Sequence, residues 1–259
     1  MERWSKECRR RYSDWFTLCE DFNRFCVQLS QNIKIRGNSR QDYLVVALFF
    51  RLLSIFEGSV ILAERCMFNE TKVLLRTLME NLFILQAIVN DESMAERYYE
   101  YHFFEKRNNL LLIRRHGTAK LYEGLDLEKR LRELEDIVNQ RGIKKLTVSF
   151  WANKADLNEF YATAYPVLSW TTHSNVIDIG QYIRGESDEE VEGVSWSPQM
   201  VEIDKLLLTA IECVVIGLRS INKLFNLGAE EDIIKYSNRY QRLAKILSNQ
   251  AKSIESTSP

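Results

Sequence analysis

The stretch "TKVLLRTLMENLFILQAIV", Thr71 to Val89, decides the fold, because its apolar residues cover nearly every face of a helix. A helix that is apolar all round needs other helices packed around it. Two charges, Arg76 and Glu80, interrupt the stretch four residues apart, so they lie on one face of that helix. The stretch therefore predicts a central helix that carries one charged pair in need of partners.

The rest of the chain also favours helices. Its 259 residues include 10 glycines and 3 prolines, which is few for a protein with many strands and turns. Helical periodicity and turn residues divide the chain into about eight or nine helices, with a short hairpin or an irregular loop near 178–198. We therefore predict an all-α multi-helix bundle that forms a single domain over residues 1–259, with a disordered tail at 251–259.

Turn residues place the start of the central helix. A second helix is expected to run from near Asp42 to about Phe68, and a third follows it directly. Asn69 stands between the two, and asparagine is a favoured N-cap residue. We therefore expect the side chain of Asn69 to cap the central helix.

The charge balance gives no indication of a nucleic-acid or membrane partner. Lysine plus arginine (35) nearly equals aspartate plus glutamate (36), which leaves a net charge of −1, so nucleic-acid binding would need a local basic patch. The most apolar run, Tyr43 to Ala63, is long enough to cross a membrane, but Arg51 and Glu57 lie inside it. We therefore expect a buried helix here and no membrane partner.

Cysteine usage indicates a reducing compartment. The five cysteines are an odd number, and no two of them form a C-x-x-C pair. The first residues, "MERWSKECRRRY", have charges without the apolar run of a secretory signal behind them. We therefore predict a cytoplasmic protein whose cysteines are reduced, with neither a disulfide framework nor a zinc site. Cys8, Cys19 and Cys26 share one helical stripe, and we expect these three to be core residues.

Several motifs with fixed spacing are missing from the sequence. It contains no G-x-G and no G-K-[ST], so the common dinucleotide and P-loop sites are not predicted. No histidine follows a glutamate by three positions, so the E-x-x-H pairs of di-iron bundles are missing too. The sequence thus predicts no cofactor and no metal, and it leaves open whether the protein is an enzyme.

One histidine belongs to a string of known spacing. The string "RYYEYH", Arg97 to His102, is similar to the R-x(4 to 6)-H signature of the HEPN superfamily of all-helical ribonucleases and toxins. The resemblance implies that Arg97 polarises a phosphate while His102 acts in acid–base cleavage. A metal-independent ribonuclease is therefore one hypothesis for this chain.

A second polar set lies in "YPVLSWTTH", where Tyr165, Ser169 and His173 are spaced four residues apart. On a helix, Ser169 and His173 are stacked neighbours. Pro166 disfavours the α conformation for the residue before it. We therefore expect Tyr165 to cap this helix and Ser169 and His173 to lie on it.

Together these elements resemble a bacterial, all-helical family catalogued only as a domain of unknown function. Its members carry an L-L-R-[ST]-L-x-E element, then a tryptophan, then a Y-x3-S-x3-H element. The matching residues are "LLRTLME", Trp151 and "YPVLSWTTH", and the resemblance covers roughly Asp42 to Asp178. The family's members do not usually have a proline at the place of Pro166. The resemblance implies no activity, but it suggests that the two elements converge and line one polar pocket, with candidate site residues Arg76, Glu80, Ser169 and His173.

The charged pair also has a purely structural interpretation. Glu57 and Glu64 lie on one face of the preceding helix and are candidate partners for the pair. A buried network of this kind fixes the register of two helices without any chemistry.

Three functions therefore stay open at the level of sequence. The first is a polar pocket that binds a small or phosphate-bearing ligand in a defence or stress effector. The second is the HEPN-like ribonuclease with Arg97 and His102. The third is a scaffold that binds another protein without chemistry, and the oligomeric state is left open in all three.

Overall fold

A computed structural model describes residues 2–116, 126–172, 179–184, 192–194 and 200–255. These residues form ten α-helices and little else, which confirms the all-α prediction. Between α8 and α9 lie a 3-10 turn (Gly180–Tyr182) and two short strands, β1 (Ile183–Arg184) and β2 (Gly193–Val194). The helices are α1 (Glu2–Arg11), α2 (Ser13–Ser30), α3 (Arg40–Glu64), α4 (Phe68–Asn90), α5 (Ser93–Arg115), α6 (Leu127–Gln140), α7 (Val148–Lys154), α8 (Asn158–Thr172), α9 (Ile203–Phe225) and α10 (Glu230–Glu255).

The helix that was predicted to be central, α4, lies at the centre of the bundle. It packs against α3, α7, α8 and α9. Its side chains Leu75, Leu78, Met79, Leu82 and Phe83 are completely buried. Contact on several sides explains why α4 is apolar nearly all round.

The segment before the predicted second helix forms two helices, α1 and α2, which are separated at Tyr12. This residue has a non-helical backbone (φ −113°, ψ 28°), and its hydroxyl donates to Met200 O at 2.8 Å. The break adds one helix to the predicted number. The five cysteines of the chain are free and buried, and they include Cys8, Cys19 and Cys26, which were predicted to be core residues.

The region between α8 and α9 contains the short hairpin that was one of two expectations for it. Strands β1 and β2 pair antiparallel, with Ile183 opposite Val194 and Arg184 opposite Gly193. At the other end of the chain, α10 continues to Glu255, past the start of the predicted disordered tail at 251. The residues there contain no glycine or proline that would end a helix. Residues 256–259 lie outside the described part of the chain.

The expected role of Asn69 as the N-cap of α4 is wrong. Helix α4 begins at Phe68, after Met67, so Asn69 already lies in its first turn. The Asn69 side chain instead donates through Nδ2 to the Tyr182 hydroxyl at 2.7 Å. This bond attaches the 3-10 turn to the start of α4.

Helices α3 and α4 are long and apolar enough to cross a membrane, by length and composition alone. In the structure, half of the most apolar window of each helix is buried inside the bundle. Packing inside the bundle therefore accounts for much of their apolar composition. That the protein has no membrane partner remains a prediction.

The start of α3 is fixed by a buried carboxylate. Asp42 is completely buried, and it accepts hydrogen bonds from the backbone N, Nε and Nη2 of Arg36 at 2.9, 2.9 and 2.6 Å. Ser39 is the N-cap and its hydroxyl oxygen accepts from the Asp42 backbone N–H at 3.2 Å. The hydrogen bonds from Arg36 lower the pKa of Asp42.

Replacement of Asp42 by Asn tests the contribution of this carboxylate. We expect the free energy of unfolding at pH 7 to fall by about 2 kcal/mol, because hydrogen bonds to charged groups contribute roughly 1.5–3 kcal/mol. The difference between the two proteins should begin to shrink below the unfolded pKa of about 3.9. It should vanish as the pH falls through the lower folded pKa, because the folded carboxylate then becomes protonated.

Urea unfolding of both proteins across this pH range measures the effect. Asp14→Asn is the control, because Asp14 is an exposed aspartate in the first turn of α2. A difference between natural protein and Asp42→Asn that stays constant from pH 7 to pH 3 would contradict the assignment.

Candidate functional site

The candidate site lies where α8 packs along α4. The Tyr161 ring of α8 lies 6.3 Å from the Phe83 ring of α4, measured between ring centroids. One turn later on α8, Tyr165 meets Glu80 and Arg76, which come earlier on α4. The two helices therefore run antiparallel. The interface between them, which we call the seam between α4 and α8, brings the two sequence elements together.

Tyr165, Glu80 and Arg76 form a hydrogen-bonded network. The Tyr165 hydroxyl donates to Glu80 Oε1 at 2.6 Å. Arg76 donates to the same hydroxyl through Nε at 3.1 Å and Nη2 at 3.0 Å. Arg76 Nε also lies 3.1 Å from Glu80 Oε1. Each group thus bonds the other two, which fixes the direction of the guanidinium and of the carboxylate.

The network is partly open to solvent on its charged side. The exposed fraction of the Arg76 side chain is 18% and that of the Glu80 side chain is 33%, whereas Tyr165 is buried. Burial, and then the Glu80 carboxylate, raise the pKa of Tyr165 to about 12. The hydroxyl therefore stays protonated at neutral pH and keeps donating to Glu80. The arrangement presents an oriented cation and an oriented anion beside each other.

The expectation that Tyr165 caps a helix is wrong. Tyr165 lies in the middle of α8, and Pro166 follows it inside the same helix. A proline inside a helix costs about 3 kcal/mol, because it lacks the N–H that would bond the carbonyl four residues earlier. That carbonyl belongs to Ala162, which is exposed and accessible to water. The hydrogen bonds of Tyr165 to two charged groups offset part of the cost.

The expectation that Glu57 or Glu64 of α3 is the partner of Arg76 and Glu80 is also wrong. Glu64 pairs instead with Arg9 of α1, at 3.3 Å, and Glu57 is exposed. Arg76 and Glu80 instead bond Tyr165 of α8, which is far away in sequence. The sequence signal for it was the Y-x3-S-x3-H element, in which Tyr165 stands first.

Ser169 is half-buried, one helical turn after Tyr165 on α8. His173 lies outside the described residues, directly after the end of α8. The structure thus brings Arg76 and Glu80 together with Tyr165. That Ser169 and His173 line a pocket with them remains a prediction.

The polar face of α4 extends beyond the network towards its N-terminus. Lys72 lies one turn before Arg76, and its ammonium is 4.3 Å from the centre of the Phe68 ring. Asn69, a further turn towards the start of the helix, bonds Tyr182 of the 3-10 turn. Three elements therefore meet along this face, namely α4, α8 and the 3-10 turn.

The structure does not bring Arg97 and His102 together. Both lie on the uninterrupted helix α5, where residues five apart point about 140° away from each other. The guanidinium of Arg97 is 5.8 Å from the centre of the Phe150 ring. The His102 ring lies 3.9 Å from the Phe103 ring, and its Nδ1 bonds the Tyr99 carbonyl. The ribonuclease hypothesis gains no support from this geometry.

Among the residues that the structure describes, no group of three or more histidine, cysteine, aspartate or glutamate side chains has a geometry that could hold a metal ion. The network itself consists of an oriented guanidinium, a carboxylate and a protonated phenol.

The comparison with protein-family models decides the identity of the chain. Residues 42–191 match the model of a family of unknown function, DUF5677. The chain belongs to the DUF5677 family. A search of the curated proteins and a search of the solved structures find no match. This membership confirms the resemblance to a domain of unknown function that the sequence elements suggested.

The DUF5677 region contains both halves of the network. It begins at Asp42, in the first turn of α3, and it includes α4 and α8 completely. Helix α9, which packs against α4 from another side, lies outside the matched residues. The seam between α4 and α8 is therefore a feature of the family region and not of the flanking helices.

Replacement of Tyr165 by Phe measures the strength of the network. We expect the free energy of unfolding to fall by about 1.5–3 kcal/mol. The Tyr165 hydroxyl bonds two charged groups, and a phenylalanine would lose the hydrogen bonds to both Arg76 and Glu80. Equilibrium unfolding in urea is the measurement.

The matched control is Tyr161→Phe, one turn earlier on the same helix. Its ring stacks on that of Tyr165 at 5.1 Å, and its hydroxyl bonds no other residue in the described part of the chain. We expect a change below about 0.5 kcal/mol for this control. Equal effects of the two replacements would show that the network adds no stability.

Proposed function

We propose that the seam between α4 and α8 binds a small ligand with a negatively charged group, such as a phosphate, and that Arg76 holds that group. The observation that carries this proposal is the hydrogen-bonded network of Arg76, Tyr165 and Glu80. A guanidinium that is already oriented loses little conformational freedom when it binds an anion. Its planar set of donors also matches the oxygens of phosphate and carboxylate groups.

The position of the charges supports a binding role. Arg76 and Glu80 interrupt the central, mostly apolar helix α4, where apolar residues of similar size would pack equally well or better. Both side chains nevertheless stay partly exposed, at 18% and 33%. A charged pair at the edge of a core is the expected arrangement for a group that a ligand must reach.

The neighbouring residues support an anionic ligand. Lys72 adds a second positive charge one turn from Arg76. In the proposal, Glu80 balances Arg76 when no ligand is bound, and Tyr165 keeps Arg76 in place. Ser169 supplies a further hydroxyl on the same side of α8, and His173 supplies a cation whose charge changes near neutral pH.

We place this binding site in the cytoplasm and suggest that the protein acts in a defence or stress response. The buried, unpaired cysteines support a reducing compartment. Expression of the natural protein and of His173→Ala, scored for growth and for resistance to phage, tests the physiological role. The proposal would be contradicted if cells with the natural protein and cells with His173→Ala were no more resistant to phage than cells that carry an empty vector.

Replacement of Arg76 by Gln tests the binding site directly. Inorganic phosphate, pyrophosphate and a panel of nucleoside phosphates are titrated into the protein, and binding is followed by calorimetry and by thermal shift. We expect at least one of these anions to bind the natural protein, with binding that weakens as salt is added. Arg76→Gln should bind it about 10- to 100-fold more weakly, because a charged hydrogen-bonding partner is lost.

Arg141→Gln is the matched control, since Arg141 pairs with Glu100 at 2.8 Å on the protein surface. It should bind the anion as the natural protein does. Equal binding by all three proteins would exclude Arg76 as the anchor. A loss of stability in Arg76→Gln, without binding of any anion to the natural protein, would show that the network serves packing alone.

A further inference from the structure

Two cysteines from distant parts of the chain lie next to each other. Cys8 is on α1, and its thiol donates to the carbonyl of Ala63, at the end of α3, at 3.4 Å. Cys66 is in the turn between α3 and α4, and its thiol donates to the carbonyl of Trp4, one turn before Cys8, at 3.7 Å. Each thiol therefore bonds the backbone close to the other cysteine, because Ala63 lies shortly before Cys66 and Trp4 shortly before Cys8.

The backbone at Cys66 does not favour a cysteine. Its φ angle is 57°, in the left-handed region where glycine and asparagine are the usual residues. A residue with a Cβ atom at this φ angle has a steric cost that glycine would avoid. The side chain of Cys66, and its contact with Cys8, thus account for the residue better than the shape of the turn does.

Both thiols are protected in the folded protein. Cys8 is completely buried and Cys66 is 2% exposed. Burial raises the pKa of each thiol, and the proximity of Cys66 raises that of Cys8 further. Because the thiolate is the reactive form, neither sulfur reacts readily while α1 is in place.

Helix α1 is held to the bundle by few contacts. Cys8 is its one buried residue. Arg9 links it to Glu20 of α2 at 2.6 Å and to Glu64 of α3 at 3.3 Å, and all three side chains are partly exposed. Exposed ion pairs contribute little stability. Local opening of α1 is therefore a low-energy motion that exposes both thiols.

We propose that Cys8 and Cys66 are a redox pair that hydrogen peroxide converts into a disulfide, which fastens α1 to the turn between α3 and α4. The two thiols, which we call the latch, react with peroxide only after α1 has opened. Once formed, the disulfide prevents that opening. Reversible disulfides of this kind suit a protein in a reducing compartment.

The reaction balances with peroxide as the oxidant. When α1 opens, the Cys66 thiolate attacks one peroxide oxygen, which gives a sulfenic acid and, after proton transfer, one water. When α1 returns, the Cys8 sulfur attacks the Cys66 sulfur, the S–S bond forms, and the hydroxyl leaves as a second water. Two thiols are oxidised by two electrons in total, and one peroxide is reduced.

The latch lies at the start of the helix that carries the candidate ligand site. Cys66 precedes Phe68, the first residue of α4, and Asn69 bonds the 3-10 turn next to that site. The redox proposal does not depend on the ligand proposal, because it involves neither Arg76 nor Tyr165. Oxidation of the pair and binding of an anion can therefore be measured separately.

The test treats the folded natural protein with hydrogen peroxide and identifies its products by mass spectrometry. We expect a loss of two hydrogens and a linked peptide that contains Cys8 and Cys66. The melting temperature should rise by several degrees and return to its first value with dithiothreitol. Arg9→Ala should speed the oxidation roughly two- to tenfold, because it removes two exposed ion pairs that hold α1 closed.

The controls separate this pair from the other cysteines. Cys66→Ser should not form the linked peptide, whereas Cys19→Ser, which removes another buried thiol, should form it as the natural protein does. Should Cys66→Ser fail to fold, the linked peptide of the natural protein still decides the question. Failure of the folded natural protein to give that peptide overturns the proposal, and so does oxidation of single cysteines without a disulfide.

Discussion

The burial of α4 on nearly all sides is the constraint on which the rest of the structure depends. A helix that is apolar all round must be covered by several others, and here α3, α7, α8 and α9 cover it. That packing leaves few places for a charged side chain. Arg76 and Glu80 lie at the seam with α8, where Tyr165 bonds both of them and solvent still reaches their side chains. The site is thus located by the core and not by a loop.

The Tyr165 hydroxyl is the group that joins the two halves of the seam. It donates to a carboxylate and accepts from a guanidinium, which only a hydroxyl can do with one atom. Its raised pKa keeps the proton in place over the whole neutral range. Pro166 weakens α8 directly after this residue, so the hydrogen bonds of Tyr165 stabilise the helix where its own ladder is interrupted.

Two features of different chemistry lie along α4 and the turn before it. The polar seam offers an oriented cation to an anion, and the thiol pair connects α1 to the turn that precedes α4. The seam belongs to the DUF5677 region, whereas Cys8 precedes it. If both proposals hold, the flanking helix α1 has a redox-dependent link to the turn that precedes α4, and the family region contains the binding site.

The sequence alone determined the helical class, the central place of α4 and the positions of Arg76 and Glu80 on one face, because spacing along a single helix follows from its fixed period. It also indicated that Cys8, Cys19 and Cys26 are core residues, because they fall on one helical stripe. Only the tertiary structure decided that Tyr165, and not Glu57 or Glu64, completes the charged pair, and that Cys8 meets Cys66. Contacts between distant segments depend on how whole helices pack. That packing also outweighs local costs, such as a proline inside α8. No spacing rule within one segment contains that information.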